Sequence, residues 1–394
     1  MILYILEMFC AGYFIYVVAY ALFFSLASLR KNKSDFPTAS RQAFLGVFIP
    51  AYKEDEIIVA TARSALKQNY DNYEVVIIAD SLQKKTIDAL RQLPVTVVEV
   101  TFEKSTKAKA LNKAFTSLER NYEIAVILDA DNIMEQGVLQ KINNAFQSGK
   151  HAIQTQRVAK NSNNSMAVQD GISEAINNRI YRRGFQNVGL STPIIGSGMA
   201  YEYKLLKQTL RDIDAVGGFD RELQLQIIEQ GVRIFYLEDA RVFDEKVDKS
   251  SVFGNQRRRW IASQVFYVKK FFLNAFKSLL KGNFDYFNMA VLANIQLPRL
   301  INLGTLGLLV VGTFMLRYWL TISPLFWTVL LLAYVVAFLI ALPRRYYNRQ
   351  LFTAILHLPR TFWLMILSLL KIKGANQQFI HTPHSNKHNE AFSS

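Results

Sequence analysis

Apolar positions are spread unevenly along the chain, and their spacing changes character twice. Residues 2–29 form an almost unbroken apolar run whose only charge is Glu7. About 20 such residues suffice to cross a bilayer core. The run is too long for a signal-peptide apolar region, has no basic start and lacks a clear small-residue cleavage site, so it is expected to stay as an anchor. From Phe44 onward the pattern becomes short apolar runs alternating with polar stretches of helical spacing. Strands are expected at 44–52, 73–81, 95–100 and 122–131, and helices at 55–68, 84–92 and 107–118. That alternation predicts an α/β domain built on a mostly parallel sheet with flanking helices.

Further on, 261–281 changes pattern again. Val265, Val268, Phe272, Phe276 and Leu279 recur every three to four residues, beside Lys269, Lys270, Lys277 and Lys281. An amphipathic helix of this kind suits a membrane interface, or packs on the α/β domain. Long apolar blocks return at roughly 300–320 and 325–342, joined by a turn at Ser323 and Pro324, and predict a transmembrane hairpin. A last stretch, 351–370, is interrupted by His357, Pro359 and Arg360 and reads as re-entrant or interfacial. The chain thus divides into an anchor (1–29), a linker (30–43), an α/β domain (44–262), amphipathic helices (263–299), a hairpin (300–342), a re-entrant or interfacial segment (343–374) and a tail (375–394).

Charge orients this layout. The 394 residues carry 46 Lys and Arg against 31 Asp and Glu, a net charge of +15, on a chain that is 51% hydrophobic. Arg30, Lys31 and Lys33 follow the anchor, and Arg344, Arg345 and Arg349 follow the hairpin, whose outer turn has only Arg317 nearby. Basic flanks stay cytoplasmic. The α/β domain and tail are therefore expected on the cytoplasmic side, in a bacterial inner membrane. A further full crossing would place Lys371 and Lys373 outside, which disfavours it. No nucleic-acid module is recognisable, so no nucleic-acid partner is expected. A single cysteine, Cys10, excludes a disulfide scaffold. His381, His384 and His388 have a spacing a metal could use, but their polar terminal setting argues against it.

Candidate chemistry gathers at the strand ends, where ligands bind in open α/β sheets. Tyr52 and Glu54 follow the first strand, Asp80 ends the second, and Asp129 and Asp131 end the fourth. Converging carboxylates are costly without a cation or a ligand. An Asp-x-Asp pair on one side of an extended segment suits Mg2+ or Mn2+ with diphosphate oxygens completing the shell. Neither a dinucleotide-binding glycine fingerprint nor a P-loop is present.

The ordered motifs IPAYKEDE, IADS, KAKALN, ILDAD, GSGMAY, GGFD and QRRRW, between apolar helices, resemble the membrane-embedded family-2 glycosyltransferases of GT-A fold, which include cellulose, hyaluronan and poly-N-acetylglucosamine synthases. The resemblance covers about 45–262. It implies an inverting, metal-dependent hexosyltransferase that takes a nucleotide-diphosphate sugar, a UDP-sugar by expectation. Tyr52, Glu54 and Asp80 match positions that hold base and ribose, with Lys107 and Lys109 beside the nucleotide. Asp129 and Asp131 match the metal motif, Asp131 as the direct ligand. Gly196, Ser197 and Gly198 match the loop at the acceptor end. Gln256, Arg259 and Trp260 match Gln-x-x-Arg-Trp, which touches diphosphate and acceptor, with Arg257 and Arg258 as neighbouring charge. The family's usual Thr-Glu-Asp is absent. GFDREL takes its place, because Gly231 follows Asp220 at the family's spacing. Asp220 is then the base, Glu222 the fallback and Glu245 a candidate for positioning the base, and Phe219 stands where the family has Glu. The expected acceptor is a growing polysaccharide. The alternatives are a single transfer to a lipid acceptor and a non-catalytic membrane scaffold of the same fold. Three crossings are few for a polymer channel, so an export partner or homo-oligomer is a further expectation.

Overall fold

The computed structural model describes residues 1–31, 36–161, 164–213, 217–246 and 250–370. The expectations for Lys33, Lys371, Lys373, the three tail histidines and the tail itself lie outside the described residues.

Helix α1 (Ile2–Ala27) precedes a βα series: β1 (Leu45–Tyr52), α2 (Ile58–Ala65), β2 (Tyr73–Asp80), α3 (Lys84–Arg91), β3 (Thr96–Val100), α4 (Lys107–Ser117) and β4 (Ile124–Ile127). The chain then runs through β5 (Ile133–Met134), α5 (Val138–Gln147), β6 (Ala152–Ala159) and α6 (Ser165–Asn177). A π-helical segment, Asn178–Gly184, leads into the short α7 (Phe185–Asn187). Next come β7 (Met199–Glu202), α8 (Tyr203–Arg211), α9 (Phe219–Glu229) and β8 (Ile234–Asp244). The C-terminal part is helical: α10 (Ser250–Leu280), α11 (Phe284–Phe287), α12 (Arg299–Met315), α13 (Pro324–Ala341), α14 (Arg349–Leu356) and α15 (Leu358–Leu370), with a π-helical turn at Asn288–Leu292.

The strands form one sheet in the order β3-β2-β1-β4-β7-β6-β8-β5. The β3-β2-β1-β4 half is parallel, as its βα sequence requires. At β7 the direction reverses: β7 runs antiparallel to both β4 and β6, and β5 to β8, while β6 and β8 are parallel. The sheet is therefore mixed, but six of its eight strands run one way and only β7 and β5 run against them, so the mostly parallel expectation holds. The fourth strand is also shorter than its apolar run suggests. It ends at Ile127, and Asp129 and Asp131 sit in a turn closed by Asn132 N donating to Asp129 O at 3.1 Å. The pair thus does not lie along an extended segment.

Apolar side chains cover both faces of the sheet, as continuous runs such as LGVFIPAY demand. One core packs α2, α3 and α5 on the sheet. The other packs α4, α8, α9, α10 and the end of α1 on the opposite face. A third cluster joins α1 to α12 and α13 through Phe14, Val17, Leu306, Trp327 and Tyr334. Helices α1 and α13 are long and apolar enough to cross a membrane by length and composition. At 1.5 Å per residue they span about 39 and 27 Å against a hydrocarbon core of about 30 Å. Ser323 caps α13, accepting from Phe326 N, with Pro324 at its first turn. Glu7, the one charge in the anchor, accepts from Thr321 N and Ile322 N in the α12–α13 turn.

Helix α10 runs unbroken through Gln256–Trp260 and the amphipathic stretch, so the expected boundary at 262 falls inside one helix. Both readings of that stretch have a face. Tyr267, Phe271 and Ala275 are buried on the α/β domain, while Phe266, Phe272, Leu273 and Phe276 are exposed. The last apolar stretch is two helices broken at His357.

Candidate active site

Asp129, just beyond the C-terminal end of β4, lines a cavity of about 440 Å³ whose other walls come from Lys107 of α4, the 193–196 loop, α6, the π-helical segment, α9 and α10. Tyr52 and Asp80 are register partners at the ends of β1 and β2. Asp80 accepts from Ser81 Oγ at 3.0 Å and Ser105 Oγ at 3.1 Å, and burial raises its pKa. Lys53 and Ser81, just beyond, adopt left-handed backbone angles of 56° and 58° in φ. Tyr52, Glu54 and Asp80 lie outside the cavity lining.

Lys107 stands in the first turn of α4, behind the Thr106 cap. Its Nζ donates to Asp129 Oδ1, and to Gly196 O at 2.6 Å. Lys109, two residues on, is exposed. Ser197 Oγ accepts from Asp129 N at 2.8 Å and donates to Asn132 Oδ1 at 2.5 Å. Asn132 Nδ2 in turn donates to Asp131 Oδ1 at 3.0 Å and Asp244 Oδ1 at 3.2 Å. The loop carrying Gly196, Ser197 and Gly198 is thus tied to the Asp-x-Asp turn. Gly198 (φ 60°) needs its hydrogen: a Cβ there would lie 2.4 Å from Thr155 Oγ1.

Asp220 lines the same cavity, near the loop: a Cβ on Gly196 would stand 3.7 Å from Asp220 Oδ2. Gly218, not Asp220, caps α9. Burial raises the Asp220 pKa, against the lowering effects of Arg221 and Lys107. Glu222 lies elsewhere; it is buried outside the cavity lining and accepts from Lys270 Nζ on α10 at 2.7 Å. Arg257, Arg259 and Trp260 line the cavity, with the Arg257 guanidinium 4.4 Å from the Trp260 ring centroid. Gln256 and Arg258 lie on the same helix outside that lining.

The wall from α6 was not legible in the motifs. Arg257 pairs with Asp170 there. Glu174 pairs with Arg157 at 2.9 Å and with Arg182 at 2.9 Å, and Lys246 lies 3.9 Å from it. Burial alone would raise the Glu174 carboxyl, but Arg157, Arg182 and Lys246 hold it well below the carboxylate range. These partners are far apart in sequence, so no local spacing marks them. Asp244 accepts from Lys246 Nζ at 2.7 Å and connects this cluster to Asn132.

No group of three or more His, Cys, Asp or Glu side chains is arranged to hold a metal among the described residues. Asp129 and Asp131 are two hard oxygen donors, one of them already engaged by Lys107. That set fits a divalent ion whose other ligands are diphosphate oxygens and waters.

The sequence profile of glycosyltransferase-like family 2 matches residues 42–263. The chain belongs to this family. It is 21% identical over 260 residues to the probable glycosyltransferase YdaM of Bacillus subtilis, covering 63% of this chain and 60% of that protein. The chain therefore spans about three fifths of the length of this curated relative. Among solved structures, the mannosyltransferase PcManGT of Pyrobaculum calidifontis, in complex with GDP-Man and Mn2+, superposes with a TM-score of 0.56 at 16% identity, covering 91% of this chain and 95% of that one. The shared fold is the GT-A fold.

Proposed function

We propose that this family-2 chain is an inverting glycosyltransferase at the cytoplasmic face of a membrane, moving a sugar from a nucleotide-diphosphate sugar onto a growing saccharide. One arrangement carries the reading: Asp220, Asp129 and Gly196 line a single cavity, and Lys107 joins the last two. With Asp220 as base and Asp129 at the diphosphate end, both would border one space large enough for a sugar.

In this mechanism the acceptor hydroxyl gives its proton to Asp220. Its oxygen bonds to the anomeric carbon as the carbon–oxygen bond to the diphosphate breaks, and the electron pair leaves on the diphosphate. Attack opposite the leaving group inverts the centre. Arg259, which lines the cavity, is the proposed source of positive charge for the leaving diphosphate. Asp131, with Asp129, would hold Mg2+ or Mn2+, which when bound neutralises charge on the diphosphate. Tyr52, Glu54 and Asp80 hold the nucleoside end, and Trp260 offers an apolar face to a sugar ring. PcManGT carries GDP-Man and Mn2+; donor chemistry of that class, with a UDP-sugar as the first candidate, is proposed here. Helices α1, α12 and α13 are taken as the membrane segments, with the exposed Phe-rich face of α10 lying on the bilayer.

The test is the product formed by purified full-length protein from labelled UDP- and GDP-sugars with Mg2+ or Mn2+. A ladder of long products supports a polymerising enzyme, and one lipid-soluble product replaces it with single transfer. Absence of any donor turnover across the panel favours the scaffold alternative.

A further inference from the structure

We infer that Asn132 is a positioning residue that couples the divalent-ion site to the acceptor loop, holding Asp131 with one end of its amide and Ser197 with the other. This rests on the glycosyltransferase reading and names what makes the two halves of that site act together.

Asn132 directly follows the Asp-x-Asp pair and is fully buried. Its amide meets three elements. Nδ2 donates to Asp131 Oδ1 at 3.0 Å and, at the end of β8, to Asp244 Oδ1 at 3.2 Å. Oδ1 accepts from Ser197 Oγ at 2.5 Å. An amide has two N–H hydrogens, and a carboxylate can only accept. Both hydrogens are therefore committed to carboxylates, which fixes the orientation of the amide. Its oxygen then faces Ser197, whose hydroxyl gives its one hydrogen there and accepts from Asp129 N at 2.8 Å. Every hydrogen from Asp131 through Asn132 and Ser197 to Asp129 N has a set direction. A satisfied buried network of this kind holds one geometry, and removing one member leaves its neighbours unpaired.

The Asp-x-Asp turn and the loop meet at a second point, where Lys107 donates to Asp129 Oδ1 and to Gly196 O. That tie is charged. A divalent ion and Lys107 compete to neutralise Asp129, so a bound ion weakens it. The Asn132 tie is neutral on the loop side and does not compete, so it is the connection that persists in the loaded site. The loop has a third support in Gln154 of β6. Its Nε2 donates to Ser197 O at 2.9 Å and Gly198 O at 3.1 Å, and its Oε1 accepts from Ile195 N at 3.1 Å. Among the described residues the hydrogen bonds of this side chain stay within the loop and β6. Gln154 therefore holds the loop without reaching Asp131, and separates support from coupling.

The test is titration of the full chain in detergent with Mn2+ in the presence of UDP, and in parallel GDP, without acceptor. Free Mn2+ is read by its spin-resonance signal, and amide hydrogen exchange of residues 195–198 is followed on the same samples. Asn132→Leu keeps the shape and removes the amide; it should weaken Mn2+ binding by about tenfold or more. Gln154→Met should leave Mn2+ binding within about threefold of the unaltered chain. In the unaltered chain, Mn2+ with nucleotide should slow exchange of the loop by about fivefold or more. Ser197→Ala cuts the tie and spares the Asp131 bond, and should reduce that slowing to about twofold or less. Where Asn132→Leu does not fold, Ser197→Ala alone decides. The proposal is overturned by a folded Asn132→Leu protein that binds Mn2+ normally, or by full slowing in Ser197→Ala. A Gln154→Met loss as deep as that of Asn132→Leu overturns it too, as does an unaltered chain that binds no Mn2+. Sugar transfer is measured separately. Transfer without any dependence of ion binding on Asn132 leaves the glycosyltransferase reading standing and removes the coupling. Coupled ion binding without transfer sinks that reading and keeps the coupling.

Discussion

As the proposed base, Asp220 must be charged to accept a proton, while its burial favours the neutral form. Its raised pKa sets two opposite pH trends. For activity, the base is lost as pH falls through a value above the ordinary aspartate range, so the acid limb of kcat/KM should lie at correspondingly higher pH. For stability, a carboxyl raised on folding contributes fully below its unfolded pKa, and that contribution is lost as pH rises through the folded value. Asp220→Asn should therefore lower kcat by about 10²- to 10⁴-fold while leaving the melting temperature at pH 7 equal or higher. Turnover assays and thermal unfolding on the same preparation check both halves. A variant that loses activity only because it melts early would contradict the assignment. Glu222→Gln is the companion measurement. Glu222 meets Lys270 on the α9–α10 contact, so the change should cost about 1 kcal/mol of stability and keep kcat within about threefold. A loss as deep as that of Asp220→Asn would move the base to Glu222.

At the scale of elements, the position of Asp220 depends on how closely α9 begins against α10. Gly218 starts α9 with φ 68°, and a Cβ there would lie 2.1 Å from Ser263 Oγ of α10. Gly218→Ala should destabilise by about 1–3 kcal/mol and depress kcat by displacing the start of α9. Gly137 also has a positive φ but opens on free space. Gly137→Ala should cost about 1 kcal/mol and leave kcat alone. Equal kinetic losses in the two variants would show that strain, not the α9–α10 contact, is being measured. These elements also show what a sequence conveys. The first four strands are readable because parallel strands buried on both faces are continuous apolar runs. Strands β6 and β7 carry polar or small residues, as in AIQTQRVA and MAYE, and their antiparallel pairing depends on partners distant in sequence. Lys107, Asp129 and Asp220 were readable because motif order survives in the chain. The wall of Arg157, Glu174 and Arg182 was not, because it exists only once β6 and α6 have packed. The Asp-x-Asp turn was misread as extended because apolarity continues to Leu128, beyond the last ladder pair at Ile127.

Across the whole molecule, α1 and the site share one wall. The C-terminal end of α1 packs Tyr20 and Phe24 on Phe185, with ring centroids 6.1 and 4.5 Å apart. Tyr20 donates to Asn288 Oδ1 at 2.8 Å, and Asn187 Nδ2 donates to Ala27 O and Arg30 O at 2.8 Å each. The π-helical segment receiving α1 also carries Arg182, so the helix expected to anchor the chain buttresses the cavity wall of Arg182 and Glu174. Gly184 makes this approach possible: a Cβ on it would lie 2.5 Å from Phe24 O, a backbone atom that cannot swing aside. Gly184→Ala should therefore push α1 and that segment apart, destabilising by about 1–3 kcal/mol. It should also weaken acceptor binding more than donor binding, because Lys107, Asp129 and Asp131 stand on other elements. Gly12 lies in α1 with nothing within 4 Å of its would-be Cβ. Gly12→Ala removes a poor helix former from the same helix and should be neutral or stabilising by up to about 1 kcal/mol. Thermal unfolding in detergent, with separate acceptor and donor titrations, compares the two. Identical behaviour of the variants would mean that α1 only tethers the domain. Divergence confined to Gly184→Ala and to acceptor binding would mean that the apolar helix shapes the site from behind.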